Sequence, residues 1–502
     1  MLGAFCLAGS VPDHASAASV GLVAATMATV QDRAAEAAGL TFDRRYEDGD
    51  QTVFEGVTLD ADGAAITAEI LRLTDAEGFG TDVVTAERIE VEGLRVMPRP
   101  EEGEDGERSV VLTIGKLTSE EFSYDRPDDP GEAADDEESR RALARLLSSI
   151  AFGESEATDL TVGASGSGSL SIEALEMSAY ADGLLGAVEA TALVLETGTA
   201  GGDVRERVEG ALPGFAGTPL GRMMLTQTDR IVIEGVAWGG LDAGGALAAL
   251  ARGEAPGLAT PDITMADIVA RDEKQYRDGK LASRTGRIAL EDVTFEGVVP
   301  TGAVLTSTDV TTDFTAFATE QDEAAVEILE ARGLDRVEGS ARTTYAFSPE
   351  AGVASFKSDA QADGLYRFDF TTTLSDIDIE TLRGSSEDSE ALTLDEMAIV
   401  LSDIQALDTL FELAALGSEE SAKTLRQQAV GMVTLGGLQG RGFSPRIPSY
   451  VAALSAFVGQ GGTLTISMTP EGGVGLDELS SAAKTDPAAA LETVNLTIEH
   501  SE

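Results

Sequence analysis

The sequence predicts an α+β fold rich in β-structure, with long antiparallel twisted sheets, bulged strands and helices packed on one face. Three observations predict it. Apolar residues are 43% and charged residues 25% of the 502 residues, so the chain can bury a core. Many stretches alternate apolar and polar residues with the period of two that strands require. Turns rich in Gly and Asp separate these stretches.

The first half of the chain alternates strand blocks with short helices. We expect strands over 52–59, 66–73, 83–96 and 110–124, strands again within 158–198, and a strand over 229–238. Helical spacing of apolar residues predicts helices over 20–38, 138–151, 203–226 (interrupted by prolines) and 242–252.

The second half follows the same style. Strands are expected over 286–318, 341–348, 352–359, 364–379, 391–401, 463–468 and 494–499. Helices are expected over 262–277, 320–332, 404–416, 419–433, after Pro448 and over 487–493.

Acidic or proline-containing breaks divide the chain into regions. The predicted regions are a signal peptide at 1–17, an N-terminal helix plus β region at 18–124, a second α+β region at 125–260, a third β-rich region at 261–384 and a C-terminal α+β region at 385–502.

The N-terminus predicts export. Residues 1–17 combine a short apolar start with the small-residue run Ala15-Ser16-Ala17, which is typical of a secretory signal, although no Lys or Arg precedes the apolar stretch. Cleavage after Ala17 would remove Cys6, the only cysteine, and His14. We therefore expect a periplasmic or secreted protein whose mature chain has no membrane-spanning helix.

The charge balance restricts the partners. The chain has 35 basic and 88 acidic residues, a formal net charge of −53. Such a surface repels phosphate backbones, so nucleic acid binding is not expected, and it also repels anionic membrane surfaces. Cations, basic proteins or neutral ligands are the expected partners. Net charge by itself indicates solubility more than function.

One eight-residue pattern recurs in the order apolar, any, apolar, acidic, any, apolar, any, apolar. It occupies 89–96, 170–177, 231–238, 288–295 and 392–399. The three-residue step in its middle breaks strand alternation, and a β-bulge there would keep all four apolar residues on the core side. Two interpretations remain: similar strands lining one groove, or ordinary strands of a large twisted sheet. Related starts at 112, 170, 231 and 288 also suggest an internal repeat of roughly 60 residues.

Residue types needed for common catalytic and metal sites are scarce. The only histidines are His14 and His500, so nucleophilic triads and His/Cys zinc sites are not expected. Ser481 and Lys484 match an S-x-x-K pattern without its usual partner motifs. We predict no catalytic residues and no cofactor.

Two alternatives rest on carboxylates. Paired acids could hydrolyse glycosides, although Trp238 is the only tryptophan available for stacking a sugar. Calcium could bind near Asp60, Asp62 and Gly63 or within Glu101 to Glu107, so the question of a metal stays open.

Three stretches carry a resemblance to a protein family. They are LTFDRRYEDGDQTVFEGVTL at 40–59, YAFSPEAGVASFKSDAQADGLYRFDFTTTL at 345–374, and the ending at 456–498. They resemble exported, uncharacterised alphaproteobacterial proteins and, more loosely, AsmA-like envelope proteins. The resemblance implies a periplasmic or envelope-associated role without enzyme activity, and AsmA-like members are linked to outer-membrane assembly or lipid movement.

These observations lead to one functional hypothesis and two rivals. We expect a non-enzymatic exported envelope protein that binds a lipid or a protein partner in envelope maintenance. The rivals are an extracellular adhesion or surface-layer protein with calcium, and a carboxylate-based hydrolase.

Overall fold

The computed structural model describes residues 40–61, 64–78, 83–98, 110–125, 136–164, 168–197, 229–318, 322–377, 392–440 and 444–502. They divide into two compact units. Unit 1 contains the described residues within Met1–Ala200, Arg230–Ala270 and Phe295–Val298, and unit 2 contains those within Gly201–Asp229, Arg271–Thr294 and Val299–Glu502. Both are built from antiparallel strands with added helices, which confirms the predicted α+β, β-rich fold class.

Unit 1 is built mainly from long strands. Its strands are β1 (Leu40–Thr41), β2 (Arg44–Asp48), β3 (Gln51–Ala61), β4 (Ala64–Thr74), β5 (Val83–Pro98), β6 (Val110–Asp125), β7 (Ile150–Phe152), β8 (Ser155–Ala164), β9 (Gly168–Met177), β10 (Tyr180–Ala181), β11 (Leu184–Leu185), β12 (Val188–Thr197), β13 (Arg230–Trp238), β14 (Leu241–Asp242) and β15 (Thr264–Met265). Its helices are α1 (Asp136–Ser148) and α2 (Gly244–Ala251).

The long strands of unit 1 pair antiparallel in the order β3, β4, β5, β6, β8, β9, β12, β13. The short strands β1 and β2 both pair with β3, and β7, β10, β11, β14 and β15 form a side branch from β6. Helices α1 and α2 contact each other, and the Arg145 guanidinium donates a hydrogen bond to the carbonyl oxygen of Ala251 at 3.3 Å. The branch and the helices thus lie beside an eight-stranded meander.

The remaining elements belong mainly to unit 2, and β16 and β17 have residues in both units. The strands are β16 (Ile268–Arg277), β17 (Lys280–Glu296), β18 (Val299–Asp313), β19 (Arg336–Ser348), β20 (Val353–Ala362), β21 (Tyr366–Ser375), β22 (Thr393–Asp403), β23 (Gly462–Met468), β24 (Val474–Gly475) and β25 (Thr497–Ser501). The helices are α3 (Glu323–Ala331), α4 (Ala406–Ala415), α5 (Ala422–Gly440), α6 (Ile447–Gln460), α7 (Leu476–Thr485) and α8 (Pro487–Thr493), and a short 3₁₀-helix spans Phe314–Phe317.

Unit 2 contains a second antiparallel meander with small, separate cores. Strands β18 to β22 pair in chain order, and β23 and β25 extend the sheet beyond β22. Helices α3 and α4 share a core around Leu329 and Leu413. A bidentate salt bridge also links the two helices. Arg332 donates two hydrogen bonds to the carboxylate of Glu412, each 2.8 Å long. Tyr450 of α6 packs with Leu394 in another core beneath the C-terminal strands.

The predicted β-bulge is present between β21 and β22, but β5 changes phase without one. Between β21 and β22 the register shifts by one residue near Asp395, as a β-bulge requires. In β5 the four apolar residues of the 89–96 pattern are all buried, yet the register with β4 and β6 does not shift. There the phase is restored by Gly93, which adopts φ +64°. A residue in the left-handed conformation changes the face to which the following side chains point, and no residue is inserted into the strand.

One predicted helix is wrong, and one helix of the structure was not predicted. Residues predicted as a helix over 262–277 form β15 and β16 instead. In β16 the left-handed Asp272 interrupts the alternation, so the buried residues Ala270, Glu273 and Arg277 fall at helix-like spacing. Helix α7 was not predicted, although Asp477 and Lys484 are placed favourably for its dipole. The expected helices over 20–38 and 203–226 lie outside the described residues.

A membrane-spanning helix needs about 20 consecutive, mostly apolar residues. Of the helices in the described ranges, none is both long and apolar enough to cross a membrane.

Candidate functional site

Among the described residues, one side of the unit 1 meander forms an organised surface. Cross-strand neighbours form continuous ladders over all eight long strands. The first ladder is Leu59, Ile66, Val96, Leu112, Val162, Leu170, Leu195, Ile231. The second is Phe54, Leu71, Val91, Leu117, Ala157, Leu175, Ala190, Val236. The third is Thr52, Leu73, Ile89, Ser119, Ser155, Met177, Val188, Trp238.

Left-handed residues on alternate long strands mark where the ladders change phase, and the same spacing occurs on β4, β6, β9 and β13 without a positive φ between the ladders. On β3, β5, β8 and β12 the first and second ladders are separated by five positions, an odd spacing that would point their side chains to opposite faces of a regular strand. Each of these four strands contains a residue with positive φ between the ladders, namely Gly56 (φ +65°), Gly93 (+64°), Asp159 (+55°) and Ala192 (+50°). Members of all three ladders accordingly meet in one buried cluster on β3 to β6.

Burial changes along the ladders. On β3 to β5 every ladder member is buried. On β9, β12 and β13 most members are only partly buried, and ten large apolar side chains on the ladder side of these strands belong to none of the buried clusters of the described residues. We call these ten residues the β9–β13 face: Leu170, Ile172, Met177, Val188, Leu193, Leu195, Ile231, Ile233, Val236 and Trp238.

The chemistry of this face is uniform. None of its ten side chains carries a charge, in a chain with 25% charged residues. The backbone groups of its strands are paired in regular ladders, so the face presents side-chain hydrocarbon together with the buried indole N–H of Trp238, which has no hydrogen-bond partner among the described residues. Such a surface can hold an apolar ligand by removing hydrocarbon from water, and it offers nothing that would activate a nucleophile or move a proton.

A depression lined by acidic side chains lies near the left-handed residues of unit 1. The carboxylates of Asp43, Glu69 and Asp159 lie over Gly56, Gly93 and Gly115. A Cβ added at Gly93 would approach Cγ of Glu69 to 2.6 Å, so glycine is required there for space as well as for φ. The three acids line an open depression of about 680 Å³.

The acidic depression does not form a defined metal centre. Its three carboxylates belong to exposed residues. Across the described ranges, no group of three or more His, Cys, Asp or Glu side chains is placed to hold a metal ion. Calcium candidates predicted from the sequence lie mostly elsewhere: Asp62, Gly63 and residues 101–107 are outside the described residues, and Asp60 lies near the end of β3.

Two carboxyl groups do contact each other. A hydrogen bond with Asp75 and the proximity of its charge raise the pKa of Glu87 above the ordinary value. Both residues are exposed at the surface. A carboxylate pair of this kind lacks the enclosed cleft in which glycoside hydrolysis would shield its intermediates from water.

The other residues singled out from the sequence are scattered. Ser481 and Lys484 are exposed on α7. His500 lies in β25, further into the fold than expected, and its Nε2 is 2.7 Å from the carbonyl oxygen of Gly461. Trp238 ends the third ladder and belongs to the β9–β13 face. The structure therefore brings Trp238, alone among these residues, into the candidate site.

Sequence reasoning found part of this face. The patterns at 170–177 and 231–238 contribute six positions to the three ladders, whereas β12, which lies within the strands expected over 158–198, lacks the pattern. The structure explains the roughly 60-residue spacing from 112 to 170 and 231. Leu112, Leu170 and Ile231 occupy one ladder on alternate long strands.

Comparison with known proteins gives a limited result. A family model described as "Uncharacterized protein" matches residues 359–501. No curated protein matches the chain. The matched segment extends from within β20 to β25 and does not include the β9–β13 face.

Proposed function

We propose that the protein is a non-enzymatic, exported envelope protein of the periplasm that binds the hydrocarbon chain of a lipid on its β9–β13 face. The observation that carries the proposal is the change of burial along continuous ladders. The same side of one meander is a closed core on β3 to β5 and a partly exposed apolar surface on β9, β12 and β13.

The size and composition of the face favour an apolar ligand. Ten large apolar side chains in adjacent ladders form a contiguous surface rather than the scattered exposed residues of an ordinary monomer. Covering apolar area contributes roughly 25 cal/mol for each Å² removed from water, so an extended hydrocarbon chain gains from contact with several ladders. Long, flexible acyl chains can follow such a surface.

Charge distinguishes a lipid from a basic protein. A basic partner would gain most by contacting the acidic residues that give the chain its net charge of −53. The β9–β13 face carries no charged side chain, so binding there is governed by apolar area. The predicted signal at 1–17 and the resemblance to envelope proteins support the periplasmic location.

Native mass spectrometry tests the lipid assignment. The full chain, purified from a lysate that contains membranes, is expected to carry an adduct with the mass of a lipid that dissociates on activation. Leu193→Glu places a charge between two ladders and is expected to abolish the adduct. Thr191→Glu, at an exposed position on the same strand, is the matched control and should retain it.

Two results would contradict the proposal. One is a wild-type protein with no lipid adduct, and the other is an adduct that survives Leu193→Glu in a protein whose circular dichroism shows that it is folded. Cell fractionation with N-terminal sequencing tests export separately, with cleavage after Ala17 expected. Recovery of the uncleaved chain in the cytoplasm would contradict that part.

A further inference from the structure

Helix α5 presents a row of exposed apolar side chains. Met432, Leu435 and Leu438 have exposed fractions of 68%, 57% and 49%. They are spaced by three residues, which places them within an arc of about 120° on the helix surface. We call these three residues the α5 ridge. Single exposed apolar residues are ordinary, but three in succession on one helix mark a contact surface.

Glycines of α5 distinguish its packed side from its open side. A Cβ added at Gly437 would lie 2.0 Å from Cγ2 of Val451, so this glycine is required by the packing of α5 on α6. Gly431 and Gly436 have open space around the corresponding position. Glycine is a poor helix former, and packing within the chain does not account for these two. They leave the backbone beside the ridge accessible to another helix.

Charge restricts what can cover the ridge. Residues 427–440 contain no charged side chain, in a protein with a net charge of −53. Two copies of such a protein repel each other over most of their surface. A contact through this uncharged stretch brings no like charges directly together, whereas a basic partner would find no acids to pair with.

The spacing of the ridge is self-complementary. In an antiparallel pair of α5 helices with a two-fold axis at Leu435, this residue packs against the partner's Leu435. Met432 then packs against the partner's Leu438, and Leu438 against the partner's Met432. An isologous interface requires this kind of pairing, in which one patch matches itself.

We propose that the α5 ridge is the contact between two copies of this chain, which associate through antiparallel α5 helices. Stable interfaces bury about 800 Å² on each partner, and a single helix ridge supplies less than that. The dimer is therefore weak. It also strengthens with salt, because screening reduces the repulsion between the two acidic bodies while the uncharged contact is unaffected.

Sedimentation equilibrium of the full chain tests this at protein concentrations from about 10 μM to about 500 μM, the range in which a weak dimer forms. Raising NaCl from about 0.1 M to about 1 M shortens the Debye length from roughly 10 Å to roughly 3 Å. The wild type should show a monomer–dimer equilibrium whose association constant increases several-fold with salt. Leu435→Glu should be monomeric throughout this range.

Leu184→Glu is the matched control, since Leu184 is 54% exposed on β11 in the other unit. It should dimerise like the wild type. As a second readout, Leu435→Cys in a Cys6→Ser background should form an intermolecular disulfide faster than Leu184→Cys, because the two-fold axis brings the Leu435 positions together.

Several outcomes would overturn the proposal. They are a wild type that is monomeric at every concentration and salt, a dimer that persists in folded Leu435→Glu, and a dimer that weakens as salt rises. Flotation of the wild type, but not of Leu435→Glu, with zwitterionic phospholipid vesicles would assign the ridge to a membrane surface instead.

Discussion

The same ladders are closed on strands β3 to β5 and partly exposed on strands β9, β12 and β13. Leu73 and Ile89 in the first group are 0% and 1% exposed. Met177 and Trp238, in the same ladder, are partly exposed. The side chains are similar in kind, so the difference lies in what covers them. An amphipathic meander can therefore end in a closed core at one side and in a partly exposed apolar surface at the other.

The left-handed residues show a parallel difference. On β3 and β5 they are Gly56 and Gly93, whereas on β8 and β12 they are Asp159 and Ala192. Alanine gains nothing from a left-handed conformation and is strained in it. On β3 and β5 glycine adopts the left-handed conformation without strain. On β12 Ala192 is strained in it, next to the proposed lipid surface. Strain of this kind tends to occur at functional sites.

The largest expected effect is a loss of packing in the closed core. Leu73→Ala should lower the free energy of unfolding by about 3 kcal/mol, because it leaves a cavity. Leu193→Ala, in the partly exposed part, should cost about 1 kcal/mol, since water already reaches the side chain. Urea unfolding of the two variants measures both values. Equal losses would show that the two groups of strands are equally closed.

The next effect concerns Gly93. Gly93→Ala should destabilise by about 2 kcal/mol, because alanine is strained at φ +64° and its Cβ meets Glu69. Gly279 is the control: it has φ +73° and no atom near the position of a Cβ. Gly279→Ala should therefore lose only about 1 kcal/mol, from φ alone. Similar losses in both variants would refute a steric role for Glu69.

Replacing a left-handed alanine by glycine should raise the free energy of unfolding. Ala192→Gly should stabilise the protein by about 1 kcal/mol, since glycine adopts φ +50° without strain. Ala190→Gly makes the same chemical change two residues away at a buried position in the same strand, and it should destabilise by about 1 kcal/mol. Thermal unfolding would contradict the strain argument if both changes lowered the melting temperature.

The smallest effect separates charge from conformation at a left-handed aspartate. Hydrogen bonds from Lys274 and Arg284 lower the pKa of Asp272. Its carboxylate therefore contributes stability above the ordinary aspartate value of about 3.9, and the contribution is lost as pH falls through the lowered pKa. Asparagine also tolerates φ +53°, so Asp272→Asn changes the charge and keeps the backbone conformation. It should lower the free energy of unfolding by about 0.5–1 kcal/mol at pH 7, a small value because Arg284 is half exposed and solvent screens the ion pair.

The cost of Asp272→Asn should vanish at low pH. Unfolding measured from about pH 7 to about pH 2 should show the two proteins converging below about pH 4. Asp376→Asn is the control, since Asp376 is an exposed left-handed aspartate at φ +58°. A pH-independent difference for Asp272→Asn would mean that its carboxylate charge does not matter.

The sequence predicted the strands well because alternation is a local property. Its eight-residue pattern also located the change of phase in β5, β9 and β13. The prediction failed at β16, where a left-handed residue gives buried positions the spacing of a helix. It could not indicate which part of the ladders is covered, because Leu73 and Leu193 have similar neighbours in sequence and differ only in what packs over them in space.

The lone tryptophan provides the most direct test of the proposed lipid surface. Trp238 lies in the third ladder on the β9–β13 face, so all tryptophan fluorescence comes from that position. Titration with a phospholipid whose acyl chain carries bromine, a contact quencher, should reduce this emission in a saturable way, and the same lipid without bromine should not. Emission that stays unchanged at saturating brominated lipid would contradict binding of an acyl chain on this face.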